Sequence, residues 1–345
     1  MLSGKLIAGL VLTVIGVVMI LWSFSIQPQS FQDTDMNIAF KEVRVEYLEK
    51  RNYTYVLDQS FLLRNPSNNT VVDLVYMWLP VNASNQFVKL IWTSLTPLYR
   101  KSSEDGVEIL VYNITLPAGG VLWLNATLHL TVEKYRLTME NTPWLSYSQV
   151  KENTGGKRYW AVENETYISI AREIAFNARD PVSASKRIGE WILDHLDYQP
   201  MWRLGAEQAL IIENGKLTIF GDCEEVADVF VTLARILGVR SRVAHGIYLL
   251  EDKDVVTMWI RRTDSDLELS DNWGGHAWPQ IYVPQAGWVD VELLENKTVK
   301  IGDFSQYHVK YGFEEKSFLG STMLYCQAMF IETDAYYFTF RRIQS

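Results

Sequence analysis

Hydrophobic and polar residues alternate in short runs over residues 36–140. Period-2 alternation with many β-branched and aromatic residues is typical of half-buried strands. The pattern predicts a β-sandwich domain of about seven strands over residues 30–145, in which His129 has a structural role. The runs, separated by turn signals such as NPSNN and LPAGG, are FKEVRVEYL, YTYVLDQSFLL, VVDLVYMWLPV, FVKLIWTSL, VEILVYNITL and VLWLNATLHLTVEKYRL.

The hydrophobic period becomes helical after residue 165. Apolar residues have helical spacing in TYISIAREIAFNA, in PVSASKRIGEWILDHL and in CEEVADVFVTLARILG. Asp180 followed by Pro181 is a typical helix start, and Gly238 suits a helix end. We therefore predict three helices. The third begins at Cys223 and has a buried face formed by Val226, Val229, Phe230, Leu233 and Leu237.

Strand patterns return after Gly238, in RSRVAHGIYLL, VVTMWIRR, HAWPQIYV and GWVDVELL. Helices followed by an antiparallel sheet predict an α+β domain over residues 155–305, and residues 306–345 form a β-rich extension. The turn PQAG makes a hairpin of the last two runs. Pro279 lacks a ladder donor and therefore predicts a sheet edge.

The N-terminal segment Leu6–Ile26 contains 21 residues without a charge. A helix of this length spans a hydrocarbon core of about 30 Å. Since a good small-x-small cleavage site is missing after it, we predict an uncleaved membrane anchor within residues 1–29. Lys5 before the segment and Asp33 after it place the bulk of the chain outside the cytoplasm.

Glycosylation sequons are more frequent than composition predicts, which favours an extracytoplasmic, glycosylated protein. The alternative is that Asn and Thr are simply common in exposed turns and strand ends. The seven sequons begin at Asn52, Asn68, Asn82, Asn113, Asn125, Asn164 and Asn296.

Charge and motif content exclude several function classes. The net charge is −9 and the basic residues do not cluster, so nucleic acid is not an expected partner. The chain has neither a glycine-rich phosphate loop nor histidines at metal-ligand spacing, and we predict no cofactor and no metal. His195, His245 and His308 are weaker candidates for chemistry. His195 is expected to cap a carbonyl group at a helix end, His245 lies in a core strand, and His308 lies in the tail. The sequence gives no indication of an oligomeric state.

Cys223 is the candidate nucleophile. It is one of two cysteines; a bridge to Cys326 is possible but would disable its chemistry. Its position at a helix start favours the thiolate and should lower the thiol pKa, although Glu224 and Glu225 oppose this. A cationic partner is therefore needed, and His276 is the best candidate because it begins a hairpin strand. A carboxylate on the second strand could then orient the imidazole.

Four motifs occur in order over residues 160–300: G-D-C-E-E-x-A, L-A-R-x-L-G-V-R-S-R-V-x-x-G, G-H-A-W and G-W-V-x-V-E. With Cys223 and His276 53 residues apart, this set resembles the transglutaminase-like superfamily of papain-related cysteine enzymes. The resemblance implies Cys223 as nucleophile, His276 as general base and Glu292 as orienting acid. Because the family usually carries aspartate in place of Glu292, Asp290, on the same strand face, is the rival.

The implied reaction is acyl transfer on protein or peptide amides, ending in hydrolysis or in cross-linking to an amine. The oxyanion would be held by the Cys223 backbone N–H and one upstream donor, for which Trp191, Tyr198 and Gln199 are candidates. A catalytically idle cell-surface binding or scaffold protein with the same fold is the alternative function.

Overall fold

The computed structural model describes residues 43–102, 106–144, 159–176, 178–200, 202–263, 266–313 and 323–343. The predicted anchor at Leu6–Ile26 lies outside these residues. Within them, none of the helices has the length and apolarity needed to cross a membrane.

Two long strands, β1 (Arg44–Arg64) and β6 (Val121–Glu140), pair antiparallel over nearly their whole length. The part of the predicted run FKEVRVEYL from Arg44 onward and the run YTYVLDQSFLL both belong to the single strand β1, whose pairing with β6 shifts register after Tyr47. The described part of residues 43–144 therefore contains six strands, where about seven were predicted. The other four are β2 (Val71–Trp78), β3 (Gln86–Thr93), β4 (Tyr99–Ser102) and β5 (Glu108–Leu116).

The three predicted helices are present. They are α1 (Glu165–Ala175), α2 (Pro181–His195) and α4 (Cys223–Ile236), and a single turn, α3 (Ala206–Ala209), precedes α4. Asp180 caps α2, and Gly238 has a φ of 77° after α4, as expected. Between the helices, a small sheet that the sequence pattern did not predict contains β7 (Leu196–Tyr198), β8 (Leu210–Glu213) and β9 (Lys216–Gly221).

The remaining strands complete three larger sheets. They are β10 (Ser241–Tyr248), β11 (Val255–Arg262), β12 (Leu267–Leu269), β13 (Gly275–Val283), β14 (Gly287–Glu292), β15 (Lys300–Ile301), β16 (Asp303–Phe304), β17 (His308–Phe313), β18 (Leu324–Cys326) and β19 (Glu332–Ile343). The five-stranded sheet has the order β15-β14-β13-β10-β17. The sandwich consists of a seven-stranded sheet, β12-β11-β19-β1-β6-β16 with β3 on β6, and a four-stranded sheet, β18-β2-β5-β4.

Sheet membership does not follow chain order, which corrects the linear division expected from the sequence. β17 joins the five-stranded sheet, whereas β18 and β19 join the sandwich. β11, expected in the antiparallel sheet of residues 155–305, instead pairs with β19 from Val255↔Arg341 onward. The physical reason is that any strand edge offers unpaired N–H and C=O groups, and alternation alone does not identify the strand that meets them.

The predicted hairpin of β13 and β14 is present, with Gln280 opposite Asp290. The sheet-edge prediction for Pro279 is wrong, because β13 lies between β14 and β10. Proline is accommodated because the pairing with β14 covers Gln280 to Val283 and ends one residue short of it.

Helix α4 lies at the centre of a hydrophobic core that is separate from the core of the sandwich. The predicted face is buried at Val226, Val229, Phe230 and Leu233, and Leu237 is partly buried. Each such side chain contributes about 1.5–3 kcal/mol when fully removed from water. This packing fixes the N-terminus of α4, and with it Cys223, against β13 and β10.

Candidate active site

The turn before α4 presents Cys223 in a fixed conformation. Asp222 Oδ1 accepts a hydrogen bond from the Glu224 N–H at 2.9 Å, and Glu225 Oε2 accepts one from the Asp222 N–H at 3.1 Å. Gly221 has a φ of 152°, and a Cβ atom there would lie 2.4 Å from Glu225 Cγ. The G-D-C-E-E motif is therefore a capping box preceded by an obligatory glycine.

A buried ion pair ties the preceding loop to α4. Arg203 donates to Asp228 through Nε at 2.9 Å and through one terminal nitrogen at 2.5 Å, and Trp160 Nε1 donates to the same carboxylate at 3.0 Å. The Leu204 N–H donates to Glu225 Oε1 at 2.6 Å. The sequence analysis did not identify these contacts, because no motif marks Arg203.

His276, at the start of β13, joins the other two implied residues. Its ring is hydrogen-bonded to the Cys223 thiol. On its other side, Nε2 lies 2.9 Å from Glu292 Oε2, which leaves Nδ1 to face the thiol. The imidazole also stacks on Trp278, with 5.5 Å between ring centroids.

Glu292 is fixed through both of its oxygen atoms. Oε2 lies 2.9 Å from Nε2 of His276 and 2.9 Å from Nε2 of His308. Oε1 accepts hydrogen bonds from three consecutive backbone N–H groups, those of Leu293, Leu294 and Glu295. The extra methylene of glutamate is accommodated by this short loop after β14.

Asp290, the rival acid, belongs to a different network. Its Oδ1 accepts from Trp278 Nε1 at 2.8 Å and from Gln280 Nε2 at 2.6 Å. Its Oδ2 accepts from Lys310 Nζ at 2.9 Å and from the Tyr135 hydroxyl at 2.9 Å. The structure therefore brings Glu292, and not Asp290, to His276.

The protonation states follow from burial and from these contacts. Burial lowers the pKa of His276. The negative charge of Glu292 and the hydrogen bonds to Glu292 and Cys223 have the opposite and larger effect, and they raise that pKa to about 10. The pKa of Glu292 lies well below its usual value, since the two histidines outweigh burial. The His276 imidazolium and the Glu292 carboxylate are thus both charged at neutral pH.

The expectation that the helix start lowers the Cys223 thiol pKa is wrong in direction. Burial raises this pKa and outweighs the opposing hydrogen bond and charge of His276. Cys223 is only 9% exposed, so its thiolate is poorly hydrated. Both cysteines are free, and the possible bridge to Cys326 is not formed.

His308 is the site residue that sequence analysis missed. It was assigned to the tail, outside every motif, yet β17 brings it to Glu292. A signal was present in the run HVKYGF, where His308 and Lys310 are alternate residues on one strand face and both are buried. Two polar residues on a buried face require polar partners.

His276, Glu292 and His308 each offer one ligand atom, and these atoms lie within 4.8 Å of one another. Two imidazoles and a carboxylate form a donor set that Zn²⁺ accepts. Here the same atoms are joined by hydrogen bonds of 2.9 Å, so their polar groups are satisfied by one another.

The three oxyanion candidates differ in their surroundings. Tyr198 lies opposite Gly221 in the pairing of β7 with β9, and its hydroxyl interacts electrostatically with Cys223. The Gln199 side-chain amide donates to Asp197 at 3.2 Å. Trp191 stacks on His195, with 4.4 Å between ring centroids. Of the three, Tyr198 is the one whose hydroxyl is close enough to Cys223 for their charges to interact.

Of the other histidines, His195 and His245 make structural contacts. His195 Nδ1 lies 2.7 Å from the Trp191 carbonyl oxygen, which confirms the predicted cap. His245 is buried on β10, 3.5 Å from an Arg203 nitrogen. His129 lies on an exposed position of β6.

Comparison with known proteins identifies part of the chain. The family model of the transglutaminase-like superfamily matches residues 168–293. A candidate cysteine protease from Cytophaga hutchinsonii has a similar fold, with 10% identity, a TM-score of 0.54 and coverage of 88% of this chain and 94% of that chain. This likeness shows a shared fold only.

A weaker match is the periplasmic domain of TgpA from Pseudomonas aeruginosa, which is 13% identical over 68% of this chain and 69% of that chain. Its TM-score of 0.35 is too low to support an argument. No curated protein matches the sequence significantly. The family match, together with the order of its motifs, establishes that this chain contains a domain of the transglutaminase-like superfamily at residues 168–293.

Proposed function

We propose that the protein is a cysteine enzyme that performs acyl transfer on protein or peptide amides. The observation that carries this proposal is the position of His276, hydrogen-bonded to Cys223 on one side and to Glu292 on the other. A nucleophile, a base and an orienting acid in this order form the constellation of a catalytic triad.

The reaction begins when the Cys223 thiol releases its proton to solvent, because His276 is already protonated, and the resulting thiolate faces the His276 imidazolium. The thiolate attacks the amide carbonyl carbon, and the tetrahedral intermediate collapses as His276 gives its proton to the leaving amine. The product of this step is a thioester on Cys223. Water or a second amine then attacks the thioester, His276 accepts the proton of this nucleophile, and the thiolate is restored.

Two donors would hold the oxyanion. One is the backbone N–H of Cys223, which lies at a helix start and has no partner within the helix. The other is the Tyr198 hydroxyl, supported by its electrostatic interaction with Cys223. Tyr198 is the last residue of β7 and lies opposite Gly221, two residues before Cys223.

The test is acylation of Cys223 by p-nitrophenyl acetate, an activated ester that requires no knowledge of the substrate. We expect a stoichiometric burst of p-nitrophenol from the wild type and none from Cys223→Ala, with Cys326→Ala as the matched control that retains it. A wild type without a burst would support the alternative, an idle binding or scaffold protein.

A second measurement separates hydrolysis from cross-linking. Casein is incubated with the enzyme and monodansylcadaverine, and fluorescence incorporated into protein is compared with the release of peptides. Incorporation that depends on Cys223 indicates an acyltransferase, whereas peptide release indicates a peptidase.

We also propose that the Leu6–Ile26 segment anchors the protein in a membrane, with the bulk outside the cytoplasm. The sequons support this placement, since all seven of their asparagines are half-buried or exposed and remain accessible to glycosylation. Protease added to intact cells should degrade residues 43–343. Protection of this region in intact cells, with degradation after lysis, would overturn the topology.

A further inference from the structure

His308 has a defined partner on each ring nitrogen. Nε2 lies 2.9 Å from Glu292 Oε2, and Nδ1 lies 2.9 Å from the Ser305 hydroxyl oxygen. The side chain is 0% exposed. Its ring stacks on Phe304, with 4.5 Å between ring centroids, and contacts the Trp278 ring edge to face at 5.0 Å.

These contacts determine which nitrogen carries the proton. The Glu292 carboxylate can only accept, so His308 Nε2 must donate. Burial lowers the pKa of His308 by more than the charge and hydrogen bond of Glu292 raise it. Among the other groups that face the ring, His276 also lowers this pKa and Asp290 raises it. The ring is therefore neutral, and Nδ1 accepts a hydrogen bond from the Ser305 hydroxyl.

The backbone around His308 is shaped for this contact. β17 pairs with β10, where Tyr248 lies opposite His308 and Gly246 lies opposite Lys310. A Cβ atom on Gly246 would lie 1.9 Å from the Val309 carbonyl oxygen. Only glycine at this position, the last residue of the motif R-V-x-x-G, lets β17 approach closely enough to bring His308 to Glu292.

Glutamate needs this support more than aspartate does. Glu292 has one more rotatable bond than the aspartate usual in the family, and each free rotor adds conformations in which the carboxylate leaves the imidazole. The three backbone N–H groups hold Oε1, and among the residues that the structure describes His308 alone shares Oε2 with His276.

We propose that His308 is a positioning residue and the fourth member of the site: it keeps Glu292 Oε2 on His276 and so maintains the imidazolium that faces Cys223. This inference rests on the proposed function for its catalytic meaning. Since β17 lies beyond residues 168–293, the site is completed by a strand outside the matched family domain.

The first test compares His308→Phe with His308→Gln. Phenylalanine retains the ring but removes the donor, whereas the glutamine amide nitrogen can replace Nε2. We expect a roughly 10- to 10²-fold loss of kcat with unchanged KM for His308→Phe, and under about threefold for His308→Gln. The control is His129→Phe, the same substitution at an exposed position.

The second test needs no turnover. NMR titration of ¹⁵N-histidine-labelled protein follows the ring of His276, and His308→Phe should lower its pKa by about one unit or more, because Glu292 leaves the ring. Ser305→Ala, which keeps His308 in place, should shift it less in the same direction. If His308→Phe fails to fold, the His276 pKa is measured in Ser305→Ala instead.

The two tests separate the possible failures. A wild type without turnover whose His276 titration still responds to Ser305→Ala or His308→Phe would overturn the proposed function and retain the positioning role. An unchanged or raised His276 pKa in the folded variants, with kcat unchanged, would overturn the role of His308.

Discussion

Asp290 and Lys310 form an ion pair of 2.9 Å in which each side chain is 1% exposed. The pair is completed from the sandwich, since the Tyr135 hydroxyl on β6 donates to Asp290 and the Asn85 side-chain carbonyl accepts from Lys310 at 2.7 Å. Asp290 therefore connects the five-stranded sheet to the sandwich. Its role is structural, although it lies on the same strand face as Glu292.

The first prediction concerns the stability that depends on this pair. Asp290→Asn leaves a buried ammonium group without its counter-ion, and we expect the free energy of unfolding to fall by about 3 to 5 kcal/mol. The double variant Asp290→Asn with Lys310→Met removes both charges and should be less destabilised than the sum of the two single variants. Urea unfolding followed by tryptophan fluorescence measures both. A change below about 1 kcal/mol for Asp290→Asn would contradict the interpretation.

The second prediction separates the two acids by activity. Glu292→Gln removes the charge that stabilises the His276 imidazolium, and we expect kcat to fall by roughly 10 to 10³. Asp290→Asn, measured on its folded fraction, should lose less than about threefold, because its carboxylate does not contact His276. Burst kinetics with p-nitrophenyl acetate measure both variants. The reverse result would transfer the orienting role to Asp290.

The third prediction concerns the pH dependence of Cys223 alkylation by iodoacetamide. Because burial raises the pKa of its thiol, the thiolate fraction should grow as pH rises, with a midpoint above the value of about 8.5 for an ordinary cysteine. His276→Ala removes the hydrogen bond and the charge that lower this pKa, so the midpoint should move higher still.

Cys326 is the internal control for this measurement. Burial raises the pKa of its thiol to about 12, and it should react only after unfolding. Mass spectrometry of peptides distinguishes the two cysteines. Labelling of Cys223 that is complete at pH 6 and independent of His276 would contradict the prediction.

The fourth prediction concerns the oxyanion donor. Tyr198→Phe should reduce kcat by roughly 10- to 10²-fold with little change in KM, because the donor acts on charge that develops in the transition state. Gln199→Ala should lose less than about threefold, since its amide is already paired with Asp197. A large loss in Gln199→Ala together with an unaffected Tyr198→Phe would assign the donor to Gln199.

The sequence by itself determined the helices and the hairpin, because these elements depend on residues that are close along the chain. The period of apolar residues and the caps at Asp180 and Gly238 placed three helices, and the alternating runs placed the β13–β14 hairpin. The order of the motifs indicated Cys223, His276 and Glu292 through its resemblance to the transglutaminase-like superfamily, with Asp290 left as the rival acid. The choice between Glu292 and Asp290 was not available from alternation, which gives both the same face.

Tertiary structure decided everything that depends on distant segments meeting. β17 places His308 beside Glu292 and Lys310 beside Asp290. β11 belongs to the sandwich because it pairs with β19. The direction of the Cys223 pKa shift also depends on tertiary structure, since burial by surrounding segments raises this pKa more than His276 lowers it. Alternation along a strand determines which side chains face inward, but the segments that pack against them set their partners and their charge.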